Sequence, residues 1–180
     1  MGSFLGVGVS RSSKVKESLF FVMNEEAKRN VLRRIPYGLY VIGLKDGNSY
    51  HAFTGSWLTQ CSMKPPKVVL GVRQGTHSLE SLKSGKVFSV NFISKSDKKI
   101  VEQFFKPASP EKGRFGDVAF TIGKTGAPIL ECATQVLECE LRDVIDGGDH
   151  ALVVGEVVEA EIRKDEPSLI MSDTPWHYGG

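Results

Sequence analysis

Apolar and polar residues alternate along this chain in short runs whose period changes several times, and each change marks an element. Asn24 is placed to cap a short helix, with Glu25 and Glu26 in the first turn, where the helix dipole favours carboxylates. Ala27, Val31 and Leu32 fall on one side of that helix, which ends before Pro36. After Gly38 the texture becomes that of strands. Leu39 to Leu44 reads as one strand, Asp46-Gly47 as a hairpin turn, and Ser49 to Thr54 as the returning strand. The continuous apolar run Val68 to Val72 predicts a strand buried on both faces. Thr76 can cap a helix carrying Leu79 and Leu82 that stops at Ser84-Gly85.

Val87 to Phe92 returns to strand, and Ser96 can cap a further helix with Ile100, Val101, Phe104 and Phe105 on its apolar side. Lys106 to Asp117 carries two prolines and two glycines and reads as a loop. From Gln135 to Arg142 the sides alternate, Leu137, Cys139 and Leu141 inward against Glu138, Glu140 and Arg142 outward. Asp146-Gly147-Gly148-Asp149 turns the chain into a second long strand, Ala151 to Arg163, with Leu152, Val154, Val158 and Ile162 on one face. At least six strands and a few short helices predict a mainly β domain, and closure into a barrel is the usual way such strands lose their edges.

Composition narrows the field. A chain of 180 residues suits one domain with a real core, and a hydrophobic fraction of 41% with 24% charged residues is that of a soluble globular protein. A formal net charge of +2, with both signs interspersed, offers no footprint for nucleic acid. The longest apolar runs are strand-sized and too short to span a bilayer. Cys61, Cys132 and Cys139 are odd in number and lack metal or redox spacing, which points to buried free thiols in a reducing cytoplasm and to no metal site. Residues 1–22 lack the order of a signal peptide and are set apart as an upstream start or a poorly tethered extension, leaving 23–180 as the domain.

The sequence has no glycine-rich phosphate loop, no nucleophile elbow and no paired metal-ligand pattern. What stands out is Thr54-Gly55-Ser56-Trp57-Leu58-Thr59-Gln60-Cys61-Ser62, a polar bend between strands that packs hydroxyls and an amide around a glycine and a tryptophan. Hydroxyls and free backbone N–H groups suit a phosphate or the polar edge of a ring. Thr76-His77-Ser78, with Arg73 upstream, sits at a helix N-terminus, where unpaired N–H groups favour an anion. Capping alone also accounts for Thr76. Asn91 inside a strand needs partners if buried, His150 follows a Gly-Gly turn, and Glu138 with Glu140 reads as a solvated face.

Taken in order, these segments resemble a known family. Pro36-Tyr37-Gly38-Leu39-Tyr40-Val41, Ala52-Phe53-Thr54-Gly55-Ser56-Trp57, Thr59-Gln60-Cys61-Ser62 and Pro65-Pro66 are similar to the flavin-reductase-like, FMN-binding split β-barrel proteins. So are His77-Ser78, Phe88-Ser89-Val90-Asn91, Pro128-Ile129-Leu130, Leu137-Glu138-Cys139 and Gly148-Asp149-His150 leading to Val154-Gly155-Glu156-Val157. Trp57 stands where many members carry a smaller residue, which would narrow the pocket.

The resemblance implies a Greek-key split barrel paired as a cytoplasmic homodimer, with FMN near the subunit interface. It implies that Thr54, Gly55, Ser56, Trp57, Thr59, Gln60, Cys61 and Ser62 wrap the flavin ring and ribityl chain. Thr76, His77, Ser78 and Arg73 would hold the phosphate, Asn91 would support the site, and His150 would stand on the nicotinamide side as its positioning residue. The implied activity is hydride transfer from NADH or NADPH to flavin, with the rings held about 3–3.5 Å apart. The cofactor carries that chemistry, which explains the lack of a catalytic triad. The alternative within the family is an FMN electron-transfer protein served by a redox-protein partner. An OB-like nucleic-acid binder lacks the basic groove and stacking aromatics. Haem binding through His51, His77, His150 or His177 has no sequence context that singles out a ligand.

Overall fold

The computed structural model describes residues 23–180, so the extension expected over 1–22 lies outside the described residues. Ten strands form two sheets. The larger contains β1 (Tyr40–Asp46), β2 (Ser49–Gly55), β3 (Leu58–Met63), β4 (Pro66–Arg73), β5 (Val87–Phe92), β9 (Gln135–Asp146) and β10 (His150–Ile162). Its order is β2-β1-β5-β9-β10-β4-β3, with every pairing antiparallel. A small sheet of β6 (Arg114–Phe115), β7 (Val118–Ile122) and β8 (Pro128–Leu130) lies beside it.

One connection fixes the shape of the larger sheet. β2 and β3 are its opposite ends, yet only Ser56 and Trp57 separate them in sequence. Three Cα steps span at most about 11 Å, whereas seven flat strands would hold these edges roughly 29 Å apart. The sheet is therefore rolled until its edges approach, although no hydrogen-bonded ladder joins β2 to β3.

The roll encloses one core and leaves another outside. Ile42, Leu44, Leu70, Val72, Phe88 and Val153 face inward, and α2 (His77–Gly85) plugs them with Leu79 and Leu82. On the opposite face of β1 and β2, Val41 and Ala52 pack with Phe104 of the segment after α3 (Lys98–Gln103) and with Phe115 and Leu130. β1 is thus buried on both sides. Gly43 lies where an added Cβ would meet the Pro128 carbonyl at 2.3 Å, so the small sheet can seat directly on β1.

The predicted turns form as expected, with two residues between β1 and β2 and positive φ at Gly47 and Gly148. Helix α1 (Glu25–Leu32) is capped by Asn24, but none of its residues is buried. α2 is capped by Thr76 and closes on Lys86 in the left-handed conformation; Gly85 is small because the Lys45 carbonyl would lie 2.5 Å from its Cβ.

Several expectations need correction. β4 is buried on one face and only half-covered on the other, where Val69 and Gly71 lie, because it is next to an edge. Ser96 caps nothing: Ser94 accepts the Ser96 N–H ahead of a short 3-10 turn, and Asp97 precedes α3 without a side-chain cap. The 106–117 segment is not wholly loop, since it contains β6. On β10 the buried residues are His150, Ala151, Val153 and Gly155, whereas Leu152, Val158 and Ile162 are exposed. Glu138 is buried, not solvated. Its carboxylate accepts Lys124 N–H at 3.0 Å, Thr125 N–H at 2.7 Å and the Thr125 hydroxyl at 2.6 Å, tying down the turn between β7 and β8. Cys139 is buried and Cys132 half-buried, but Cys61 is exposed on β3.

Candidate active site

A cavity of about 610 Å³ opens where the rolled edges approach each other. Its size is that of a small-molecule or cofactor site. The end of β2 and the following bend supply Thr54, Gly55 and Ser56; the end of β4 and the start of α2 supply Gly71, Arg73, Thr76 and Ser78. Apolar walls come from Leu39 and Phe53, from Phe104, Phe105 and Pro107, and from the C-terminal segment through Met171, Trp176 and Tyr178. A second depression of about 580 Å³ at the β9–β10 turn carries Lys83 and Arg142. These are already paired with Glu80 and with Glu140 and Glu156, while Lys86 beside them makes no ion pair among the described residues; the lining has no aromatic ring.

The polar groups of the first cavity differ in what they have left to offer. The Thr54 hydroxyl donates to the Val101 carbonyl at 2.8 Å, and the Thr76 hydroxyl donates to the Arg73 carbonyl at 2.8 Å. Ser56 is buried with no side-chain hydrogen bond among the described residues, and Arg73 makes no ion pair there. Ser78 is 3% exposed, and its hydroxyl touches only His51 Nε2, at 2.9 Å. The Ser56 hydroxyl and the Arg73 guanidinium are therefore uncommitted at the cavity, and the Ser78 hydroxyl keeps bonding capacity beyond its contact with His51; of the first-turn N–H groups of α2, those of Leu79 and Glu80 already donate to Thr76.

The last residues cover this cavity. Tyr37 donates its hydroxyl to the Tyr178 carbonyl at 2.6 Å, and Arg33 Nε donates to the Gly179 carbonyl at 3.1 Å. The Tyr178 hydroxyl lies 2.7 Å from His150 Nε2, and Trp57 packs against both rings, 4.6 Å from His150 and 5.2 Å from Tyr178 between centroids. Burial pushes the Tyr178 hydroxyl above its ordinary pKa. Asp149 takes the other nitrogen of His150 at 2.8 Å, and that hydrogen bond holds its carboxyl below the usual range.

Of the residues singled out from sequence, Thr54, Gly55, Ser56, Arg73, Thr76 and Ser78 meet around the cavity. The rest lie elsewhere. Leu58 to Met63 is a strand, not a bend, so Thr59, Gln60, Cys61 and Ser62 sit along an exposed edge. His77 bonds Asp46 at 2.9 Å and does not line the cavity. Asn91 is fully buried, donating to the Val41 carbonyl and Ser89 Oγ and accepting Leu130 N–H at 2.8 Å, which joins the two sheets. Trp57 and His150 stand behind Tyr178. Sequence reasoning gave no flavin-site role to Phe53, Phe104, Phe105 or His51: the phenylalanines read as core, and His51 entered only among four histidines without a context for haem. The aromatic pattern Phe104-Phe105 was visible but reads equally well as helix core.

Residues 32–178 match the flavin reductase like domain. The chain belongs to this family. It is 30% identical over 142 residues to the NADPH-flavin oxidoreductase of Streptomyces viridifaciens, covering 77% of this chain and 73% of that protein. It is 29% identical over 167 residues to diflavin flavoprotein A 1 of Synechocystis sp., covering 92% of this chain but 28% of that one. The NADH:FAD oxidoreductase of Streptomyces globisporus, solved in complex with NAD and FAD fragments, superposes with a TM-score of 0.71 at 26% identity. That match covers 82% of this chain and 87% of that one. Several of the curated relatives are much longer: the chain spans between 28% and 44% of four of them.

Proposed function

We propose that this flavin-reductase-like chain binds FMN in the 610 Å³ cavity and passes it a hydride from NADH or NADPH. The observation that carries the reading is the pairing of anion donors, the Arg73 guanidinium and the Ser78 hydroxyl at the start of α2, with an aromatic wall in one cavity. Flavin mononucleotide has both a phosphate and a flat apolar ring system, and the donor set fits it. Bound flavin supplies the hydride acceptor; the chain supplies position. Thr54, Gly55 and Ser56 offer backbone and hydroxyl groups to the polar ring edge, where charge would otherwise be left unsupported. Trp176 and Tyr178 exclude water. His150 acts through Tyr178 as a positioning residue on the side that a nicotinamide would approach.

The rolled seven-stranded sheet is, on this reading, a split barrel over residues 23–180, and the chain works as a homodimer in the cytoplasm. Exposed Ile145, Leu152, Val158 and Ile162 on the β9–β10 hairpin supply an apolar surface for a second copy. No helix of the described residues is long and apolar enough to cross a membrane.

The test is spectroscopic. Purified protein titrated with FMN is expected to quench flavin fluorescence stoichiometrically, and anaerobic NADH or NADPH is expected to bleach the bound flavin within seconds. Bleaching by a reduced iron–sulfur protein but by neither nucleotide would replace the reductase with the electron-carrier reading. No FMN binding at all would remove both.

A further inference from the structure

The buried histidine beneath α2 has no part in the chemistry described so far. His51 lies on β2, is 4% exposed, and is covered by the first turn of α2. Its Nε2 lies 2.9 Å from Ser78 Oγ, and its Nδ1 is the single buried side-chain polar atom among the described residues with no partner. We infer that His51 is a positioning residue that turns the Ser78 hydroxyl into a dedicated donor for the phosphate of a bound flavin mononucleotide. This rests on the FMN reading above.

A doubly protonated ring would leave a buried, charged N–H with no acceptor. A neutral ring protonated on Nδ1 would orphan an N–H donor in the core, and would consume the Ser78 proton on Nε2. A ring protonated on Nε2 donates to Ser78 Oγ and leaves only a bare lone pair at Nδ1. Buried N–H groups are left unpaired less often than acceptors, so the Nε2–H form is the one this site favours. The hydroxyl of Ser78 then receives one hydrogen bond and must send its own proton elsewhere. It lines the cavity and has no other partner among the described residues.

The neighbours cannot take over this role. Thr76 has committed its proton to the Arg73 carbonyl, and His77 is turned away to Asp46. Of the three polar residues opening α2, Ser78 alone presents a free O–H to the cavity. A phosphate oxygen, carrying charge and only lone pairs, is the acceptor such a group suits. The terminal hydroxyl of unphosphorylated riboflavin gains less from it, so His51 also contributes to selection between the two flavins.

Dissociation constants for FMN and riboflavin, read by flavin fluorescence on the full chain, test this. His51→Phe keeps an aromatic ring but removes the donor; it is expected to weaken FMN about tenfold and riboflavin no more than about twofold, the difference of a hydrogen bond to a charged group. Ser78→Ala should match it, the double variant should be no worse, and His51→Gln, with an amide N–H near the lost Nε2–H, should recover most of the loss. Equal losses for both flavins, additive single effects, or no rescue by glutamine would overturn the role. FMN binding by the wild type that ignores His51→Phe would overturn it while leaving the FMN reading intact; a wild type that binds neither flavin would overturn both. Should the variants fail to fold, ¹⁵N–¹H correlation of the wild-type ring decides the matter: a protonated Nε2 is expected, and a protonated Nδ1 would end the inference.

Discussion

His150 Nε2 lies 2.7 Å from the Tyr178 hydroxyl, and this contact fastens the end of the chain to the start of β10 across the mouth of the cavity. The tail has no strand or helix of its own beyond residue 173, so it is held by side-chain contacts: this one, the Tyr37 hydroxyl and Arg33. Tyr178→Phe keeps the ring against Trp57 and deletes the polar tie. A single neutral hydrogen bond contributes about 1 kcal/mol. Opening of the tail should therefore increase roughly fivefold, seen as faster carboxypeptidase trimming, with the midpoint of global unfolding unchanged. Trimming at the wild-type rate would mean that the backbone ties suffice without His150.

Asn91 resembles a cofactor ligand in sequence and a joint in structure. Its side chain satisfies the Val41 carbonyl and the Leu130 N–H, groups from β1 and from the end of β8. Asn91→Ala leaves the Leu130 N–H buried without its acceptor and strips the side-chain bond from the Val41 carbonyl, which keeps its place in the β1–β5 ladder, at a cost of about 1–3 kcal/mol. Chemical denaturation should show that loss, while FMN affinity of the folded protein stays near the wild-type value. A selective loss of flavin binding with unchanged stability would restore Asn91 to the site.

Gly155 is the tightest interior approach on β10. A Cβ there would meet Phe88 Cζ at 2.4 Å and Cε1 at 2.6 Å, and Phe88 is fully buried in the inner core. Gly155→Ala must displace that ring or bend the strand, an overpacking change that costs about 1–3 kcal/mol. The effect should appear as a lower denaturation midpoint with an unchanged denaturant slope.

Strands and turns were legible in the chain because they depend on local patterns: period-two alternation in β9, and Gly47 and Gly148 in two hairpins. The direction of burial was harder to read. Leu152, Val158 and Ile162 look like core and are exposed, whereas Glu138 looks exposed and is buried, because an antiparallel strand does not itself announce which face is covered. Bulges compound this: β10 changes register twice against β9. At the site, the hydroxyl-rich segments flanking β2 and α2 were visible, yet half of the stretch from Thr54 to Ser62 continues as an edge strand and leaves the cavity. The aromatic wall and His51 depend on contacts between distant elements, which no single-residue pattern reveals.

The three cysteines should separate by reactivity. Cys61 is exposed, while Cys139 is fully buried and burial pushes its thiol up to about 12. Since the thiolate is the reactive form, only accessible and ionised cysteines react quickly. At pH 8 a disulfide reagent should modify Cys61 within minutes and Cys139 only after denaturation. Rapid modification of Cys139 in the native protein would show that the inner core opens under native conditions.

Acid should weaken the fold through His51. Burial, and then the neighbouring His77, depress its pKa below the ordinary histidine value, against a smaller raising influence from Asp46. The unfolded chain then binds a proton at His51 that the native chain refuses. Below about pH 6.5 the unfolded state therefore holds more protons, and stability rises with pH and falls as pH is lowered towards the native pKa. The groups that face this ring are His77, whose own ring stands edge-on at 5.0 Å, the Asp46 carboxylate beyond it, and the Ser78 hydroxyl. Denaturant midpoints measured from pH 7.5 to pH 5 should fall more steeply for the wild type than for His51→Phe, which has no proton to take up. Parallel curves for the two proteins would show that His51 is not the group that titrates.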